Sequence, residues 1–536
     1  MSRNFFRCPW WTGYSPWAPN PSVSSWNPHV NRRPSYSSRP SRASSHNPLG
    51  ITWSTQASCW IHISNLNMAS KRDEPLPKRM RTGEEEHVEQ NPSEKKSSSP
   101  SRDARVPPLH APPEPPKTLA EVQVSTAQMP FTARDVRRQW EDFNLYYSEL
   151  SRWNHVFGRN PENFDFTVLS YNILSQDLLE DNSHLYSHCR RPILIWSYRL
   201  PNILKELADM NADILCLQEV QENHYRTQIK PSLESLGYHC EYKARTGDKP
   251  DGCAICFKSD KFSLVSVTPV EYYRPNIALL NRDNIGLVLL LQPKSQRAAP
   301  VICVANTHLL YNPRRGDIKL AQLAILLAEI ANVAFTKDRG FCPIVLCGDF
   351  NSVPGSPLHS FIREGKLNYE GVTIGKVSGQ EQYSRGQRIL SCPIWPKSLG
   401  ISQNCVFEPK EKARKSGESF SETSAGNSAP NTQVQSSLYH HFSLSSVYSH
   451  FFPGSGVPEV TTCHSRCALT VDYIFYSAAM NDLFAQLGTN FSQNGLQLLG
   501  RLSLLTEQDL WSVNGLPNET NSSDHLSLLA MFRLEI

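Results

Sequence analysis

The stretch PIVLCGDFNSV, residues 343–353, decides the fold. Its first five residues, Pro343 to Cys347, are apolar and uncharged, and Asp349 and Asn351 follow two positions apart. A short run rich in β-branched residues and leucine, bounded by Gly and Pro, predicts a strand covered on both faces. Side chains two apart on an extended chain leave it in the same direction. The stretch therefore predicts two polar groups side by side at the rim of a sheet. Asp and Asn after a strand also serve as ordinary turn formers, and this stretch alone is compatible with either use.

Around it, short apolar strands alternate with helical patterns. Ile203, Leu204 and Leu207 fall on one helix face before ADILCLQEV (212–220), and Leu320, Leu323, Leu327, Ile330 and Ala334 do the same before PIVLCGDF. Repeated strand–helix units predict an α/β domain whose helices cover sheet faces, here over residues 161–536. A polar stretch at 408–437 reads as a disordered surface insertion. Val136, Trp140, Phe143, Tyr147, Leu150 and Trp153 recur at three- and four-residue steps, which predicts a helical lead-in over 126–160. Residues 1–125 are rich in Ser, Pro and Arg and include the polyproline-like RVPPLHAPPEPPK (105–117). Such a composition buries too little apolar surface to offset the entropy of ordering, so a disordered N-terminal region is expected.

The bulk numbers exclude more than they select. There are 54 basic and 50 acidic residues, for a net charge of +4, so no strong overall field dictates the partner. No apolar run approaches the ~20 residues of a membrane span, and no membrane association is expected. The 14 cysteines suit a reduced protein better than a disulfide scaffold in a chain of this length. Cys253 and Cys256 form a CxxC within a strand-like run, but no second well-spaced pair completes a zinc site. No Asp or Glu precedes Asp73, and KRDEPLPKRMR (71–81) carries two basic clusters. The clusters suit nuclear import, giving an expected location in cytosol and nucleus. The acid-free, Arg-rich beginning keeps a mitochondrial destination open.

The opening pattern recurs. FTVLSYN ends on Asn172, ILCLQE on Glu219, and VICVANTH on Asn306 and His308. IVLCGDFN gives Asp349 and Asn351, LTVDYIFY holds Asp472, and SSDHLSLLAMF begins with Asp524 and His525. Each residue alone has a plain explanation as a cap, a turn or a satisfied buried polar group. Six strands with carboxylates, amides and imidazoles at or beside their ends instead predict one shared site. Hard oxygen donors without a cysteine cluster suit Mg²⁺, which takes one or two carboxylates and meets phosphate oxygens. Histidines beside carboxylates supply proton transfer, and an amide near the reacting centre can donate to a phosphorane oxygen. Hydrolysis of a phosphate ester is the expected chemistry.

In this order, SYNIL, LQEV, NTHL, GDFNSVPGS, VDYIF and SSDHLSLL resemble the endonuclease/exonuclease/phosphatase superfamily, and within it the deadenylase-like branch. The resemblance spans roughly residues 161–536. It implies a four-layer α/β/β/α sandwich. Carried over by position, it implies Glu219 as the principal Mg²⁺ ligand with Asn172 beside it, and Asp524 at a second metal or a metal-bound water. Asp349 would orient or deprotonate the attacking water, and Asn351 would steady the pentavalent phosphate. His525 would be the catalytic histidine, Asp472 the carboxylate that orients it, and His308 a phosphate contact. Asn306, Pro313, Asp251 and Arg314 are the expected substrate-binding positions, with DGCAICF (251–257) as a strand lining the site.

RNA 3′ ends are the partner that the branch implies. Single-stranded RNA is gripped by aromatic and basic side chains, and Tyr311, Arg314, Arg315 and Lys319 are candidates; a solvated loop is the competing reading of that segment. Deadenylases of the branch carry an aromatic base platform five positions before the VDYIF-type aspartate, where this chain has Cys467. Losing a stacked base costs about 1–3 kcal/mol. The expected activity is therefore Mg²⁺-dependent removal of 2′,3′-cyclic phosphate from RNA 3′ ends to leave a 2′,3′-diol, an activity associated with one group in the branch. A 3′→5′ poly(A) exoribonuclease is the alternative enzyme, and a non-catalytic RNA-binding scaffold the alternative of another class.

Overall fold

In the computed structural model, which describes residues 137–144, 147, 163–295, 299–381, 387–409, 436–442, 444–485, 491, 492 and 494–536, the strand at 343–353 runs over Ile344–Asp349 and every residue of it is buried. Its alternate side chains enter two different cores. Ile344 and Leu346 pack with the helix-covered cluster, Val345 and Cys347 with the cluster between two sheets. A strand covered on both faces has no polar side to show, which is why its sequence does not alternate.

In chain order the strands of the two sheets are β1 (Trp140–Asp142), β2 (Asn163–Asn172), β3 (Ile214–Gln221), β4 (Tyr238–Ala244), β5 (Asp251–Lys258), β6 (Phe262–Glu271), β7 (Ile285–Pro293), β8 (Ile302–His308), β9 (Ile344–Asp349), β10 (Leu444–Ser446), β11 (Asp472–Ser477), β12 (Gln497–Leu502) and β13 (Leu528–Glu535). One sheet has the order β1-β12-β13-β2-β3-β5-β4, the other β10-β11-β9-β8-β7-β6. Phe166, Val168, Ile214 and Cys216 of the first meet Leu287, Val304, Val345 and Ile474 of the second. Helix α1 (Trp196–Met210) covers the outer face of the first sheet through Ile203 and Leu207. Helix α2 (Gly316–Ala334) covers the second and is buried nearly all round. These are the four layers of an α/β/β/α sandwich.

Topology gathers the polar strand ends at one rim. β2 and β3 run parallel, as do β8 and β9, so Asn172, Glu219, His308 and Asp349 all lie at or near C-terminal ends. β11 is antiparallel to β9 and sets Asp472 directly opposite Asp349. β13 is antiparallel to β2, so the segment before it, with Asp524 and His525, returns to the same end. Gly348 allows the close approach of β8 and β9: at φ +148°, a Cβ there would lie 2.1 Å from the Thr307 carbonyl oxygen.

Two expectations about organisation change. Trp140–Asp142 is not helical; it is an edge strand paired with β12, Trp140 opposite Leu502. Asn144 and Tyr147 just beyond it are helical, and Phe143 between strand and helix stacks on Phe484 at 4.0 Å. Residues 410–435 of the expected insertion lie outside the described residues, and its far boundary is already ordered, because Ser437–Tyr439 pairs with Lys366–Asn368. The expected disordered region 1–125 also lies outside the described residues. No helix among the described residues is long and apolar enough to cross a membrane.

Candidate active site

Asp349 ends β9 and is followed at once by a turn. Its Oδ1 accepts the Asn351 backbone N–H at 2.9 Å, and Asn351 adopts φ +47°. The pair does form a turn, as Asp and Asn after a strand often do. Asn351 does not follow Asp349 on an extended strand; the turn carries it round, and its Nδ2 donates to the Leu309 carbonyl at 3.1 Å. The second carboxylate oxygen, Oδ2, faces the rim. Asn172 Nδ2 lies 3.3 Å from it, His308 Nε2 3.6 Å and His525 Nε2 4.0 Å.

Glu219 is placed by a bulge. The β3–β5 register shifts between Leu217 and Val220, and Glu219 takes φ +53°. A non-glycine residue in the left-handed region costs of order 1 kcal/mol or more and persists where the surroundings over-determine it. Here Glu219 Oε1 accepts from Asn172 Nδ2 at 3.0 Å and Oε2 from the Ser175 N–H at 3.1 Å. Asn172 thereby bridges Glu219 and Asp349.

His525 and Asp472 form a dyad. His525 Nδ1 donates to Asp472 Oδ2 at 2.7 Å; the carboxylate only accepts, so Nδ1 carries the proton. Thr461 Oγ1 donates to the same oxygen at 2.6 Å. Asp349, Asp472 and His525 offer ligand atoms within 4.8 Å of one another, but His525 Nδ1 and Asp472 Oδ2 are engaged in their mutual bond. This trio therefore reads as proton-transfer machinery. Asp524 Oδ2 accepts from Tyr186 at 2.9 Å, while its Oδ1 is buried without a hydrogen-bond partner.

The electrostatics follow from crowding. Burial, then the charges of Asp524 and Asp251, push Glu219 up to about 7. Burial, then Asp472, push Asp349 up to about 7 against the pull of His525. Burial would lower His525, but Asp472, Asp524 and Asp349 outweigh it and hold the imidazolium well above its usual range. Burial, then Arg245 and His525, push His308 down to about 3, so it is neutral. Carboxylates held above their usual range and one unpartnered buried oxygen fit a cation. The donors available, the carboxylates of Glu219 and Asp524, are hard oxygens; the Asn172 side-chain oxygen instead accepts the Leu174 N–H at 3.1 Å, and its Nδ2 faces Glu219 and Asp349.

These groups open on a cavity of about 350 Å³, which Glu219, His308, Asp349, Asn351, Asp524 and His525 line directly. Asp472 and Asn172 support it from behind. The expected substrate-binding positions fare differently. Asn306 spends its amide between the sheets: Oδ1 accepts from Gln218, and Nδ2 donates to the Leu217 and Ala254 carbonyls. Its role is to tie the two sheets, and it does not reach the cavity. Pro313, Asp251 and Arg314 are also outside the lining; Arg314 is exposed and pairs with Glu381. Lys319, a candidate RNA contact with a solvated loop as the competing reading, is fully buried. Arg315 forms a two-pronged pair with Asp317. Tyr311 does line the cavity and is 62 % exposed.

Tyr186, Arg245, Lys249, Arg282, Gln380 and His464 line the cavity without having been singled out. The one available signal was the cluster Lys243, Arg245 and Lys249 just before DGCAICF.

Two packed sheets, with carboxylates, amides and imidazoles collected at one rim around an oxygen-rich cavity, define a hydrolytic phosphoesterase architecture. The family model described as Endonuclease/Exonuclease/phosphatase family matches residues 169–525, and one described as Protein angel homolog 2 N-terminal matches residues 1–118. The chain belongs to the endonuclease/exonuclease/phosphatase family and, within it, to the angel homologs. It is 66% identical to human protein angel homolog 2 over 417 residues, covering 75% of this chain and 76% of that protein. Against the Danio rerio protein angel homolog 2 it is 50% identical over 537 residues, covering 98% and 89%. A crystal structure of ANGEL2, described as a 2′,3′-cyclic phosphatase in complex with adenosine-2′,3′-vanadate, superposes with a TM-score of 0.63 at 66% identity. That match covers 75% of this chain and 99% of the other.

Proposed function

We propose that this chain is a Mg²⁺-dependent phosphatase that removes 2′,3′-cyclic phosphates from RNA 3′ ends and leaves a 2′,3′-diol. The observation that carries the reading is the single cavity onto which Glu219, Asp349, Asn351, Asp524, His308 and His525 converge, in a chain 66% identical to ANGEL2, a 2′,3′-cyclic phosphatase. Glu219 and Asp524 would hold the cation, with Asn172 orienting Glu219 through its Nδ2, and the cation when bound neutralises phosphate oxygens and favours ionisation of water.

The chain's own residues then divide the work. Asp349 Oδ2 takes a proton from the attacking water as its oxygen bonds to phosphorus. The Asn351 amide and neutral His308 donate to the phosphate oxygens. His525, oriented by Asp472, gives a proton to the departing ribose oxygen as its bond to phosphorus breaks. One such hydrolysis opens the ring to a monoester. A second at the remaining ester bond releases inorganic phosphate and leaves the diol.

The base-binding side favours this reading over deadenylation. Cys467 lines the cavity, with its Sγ 3.3 Å from His464 Nε2, where the deadenylases of the branch carry an aromatic platform. An end-processing reaction needs the phosphate machinery and little base reading. The test is incubation of the full chain with two 5′-labelled RNAs, with and without Mg²⁺. One ends in a 2′,3′-cyclic phosphate, the other in an A-tail with a free hydroxyl. Loss of phosphate without shortening is the expected result. Progressive shortening of the A-tail would replace this function with deadenylation.

A further inference from the structure

Lys319 lies in the first turn of α2 and is fully buried. Among the described residues its ammonium hydrogen-bonds only neutral oxygens: the Asn351 carbonyl at 2.5 Å and Gln380 Oε1 at 2.8 Å. Burial pushes the amine down to about 7, against the charge of Asp349. A methionine would fill a similar volume without desolvating a charge, and such replacements are often neutral or stabilising. The ammonium therefore needs an explanation beyond packing.

What it does locally follows from donor arithmetic. An ammonium can only donate, so the atom of the Gln380 amide facing it is the oxygen, and the NH₂ end is the donor left over. Gln380 is buried and lines the cavity, as does Asn351. Asn351 gives one amide hydrogen to Leu309 and keeps the other. Lys319 thus fixes both the Asn351 turn and the Gln380 amide, two carboxamides that line the same cavity as Asp349.

We propose that Lys319 is a positioning residue of the phosphate subsite, and that Gln380, whose amide it orients, is a further phosphate-binding residue. The proposal rests on the reading of this cavity as a phosphoesterase site. Negative charge gathers on the phosphate oxygens in the transition state, and donors already aimed there need no reorganisation as it develops. Lys319 acts through the two amides and does not itself touch the substrate.

The experiment compares the full chain with Lys319→Met, Gln380→Leu and the double variant on cyclic-phosphate RNA with Mg²⁺, alongside thermal melting. Lys319→Met should stay folded while kcat/KM falls about 100-fold, and Gln380→Leu about 10-fold. The double variant should be no worse than Lys319→Met, because Gln380 works only when oriented. In Lys319→Ala, added ethylammonium should restore part of kcat, which a packing defect would not allow. Full activity in folded Lys319→Met, or independent losses that multiply in the double variant, would overturn the proposal. If Lys319→Met does not fold, Gln380→Glu decides: it keeps an acceptor for Lys319 but loses the NH₂ donors, and undiminished activity would refute the assignment. Should the unmodified chain leave cyclic-phosphate RNA intact, the phosphoesterase reading fails by itself. Calorimetric titration with inorganic phosphate then tests the subsite, with affinity expected to drop about 10-fold in Gln380→Leu and equal affinity counting against it.

Discussion

His525 and Asp472 share one short hydrogen bond, Nδ1 to Oδ2 at 2.7 Å, and the same oxygen also takes the Thr461 hydroxyl at 2.6 Å. The imidazole is thus held in one tautomer and one orientation. Asp472→Asn presents an amide that can turn its NH₂ toward Nδ1 and favours the other tautomer. We expect kcat to fall on the order of 10²–10⁴-fold with KM little changed. Steady-state kinetics check this, and a KM effect alone would assign Asp472 to binding.

Glu219 carries a local conflict between stability and chemistry. Its φ of +53° suits glycine, and its carboxyl is pushed up by burial and by Asp524. Glu219→Gly should therefore raise cation-free stability by about 1 kcal/mol while abolishing turnover. Calorimetry in a chelator, paired with the RNA assay, reads both. A destabilised variant would mean the bulge depends on the Glu219 hydrogen bonds to Asn172 and Ser175.

The raised carboxyls fix the sign of a pH effect. Glu219 and Asp349 titrate at about 7 when folded and near 4 when unfolded. Their contribution to stability is complete below about pH 4 and is lost as pH rises toward 7. His525, also raised, loses its contribution only at higher pH, above its unfolded value of about 6.5. Without divalent cation the melting temperature should fall between about pH 5 and pH 7. Mg²⁺ favours the ionised carboxylates, so its stabilising shift should be larger at about pH 8 than at about pH 5. Equal shifts at both values would remove Glu219 from the cation site.

Cys467 can be tested by gain. Cys467→Phe should tighten binding of an oligo(A) ending in a free hydroxyl by about 1–3 kcal/mol, or roughly 5- to 150-fold. Fluorescence anisotropy measures it. Unchanged affinity would show that position 467 does not face the terminal base.

How far this could be read beforehand depended on how local each signal was. The two-sided burial of Ile344–Asp349 and the polar ends of six strands were legible, because backbone period and strand polarity carry them. Asn306 was misplaced because its motif neighbour His308 does reach the cavity; two residues back along β8, the same strand face lies between the sheets. Lys319 was a candidate RNA contact, or part of a solvated loop, because a basic residue near a helix start usually faces solvent, and only the packing of α2 buries it. Arg245, Lys249 and Arg282 come from two loops far apart in sequence and meet only in the folded chain. Within the expected lead-in over 126–160, Trp140–Asp142 forms a strand because pairing with β12 overrides the three- and four-residue spacing there, while Asn144 and Tyr147 are helical.

Asp349 divides its labour between two oxygens: one fixes the turn that Asn351 needs, the other faces the imidazoles. Asp349→Asn can keep the first as an amide oxygen while losing the second as a proton acceptor. The product of that substitution would be a molecular snare, able to engage an RNA end and unable to finish it. Sequencing what it retains from a cell extract would turn a stalled catalyst into a census of the ends on which the proposed activity acts.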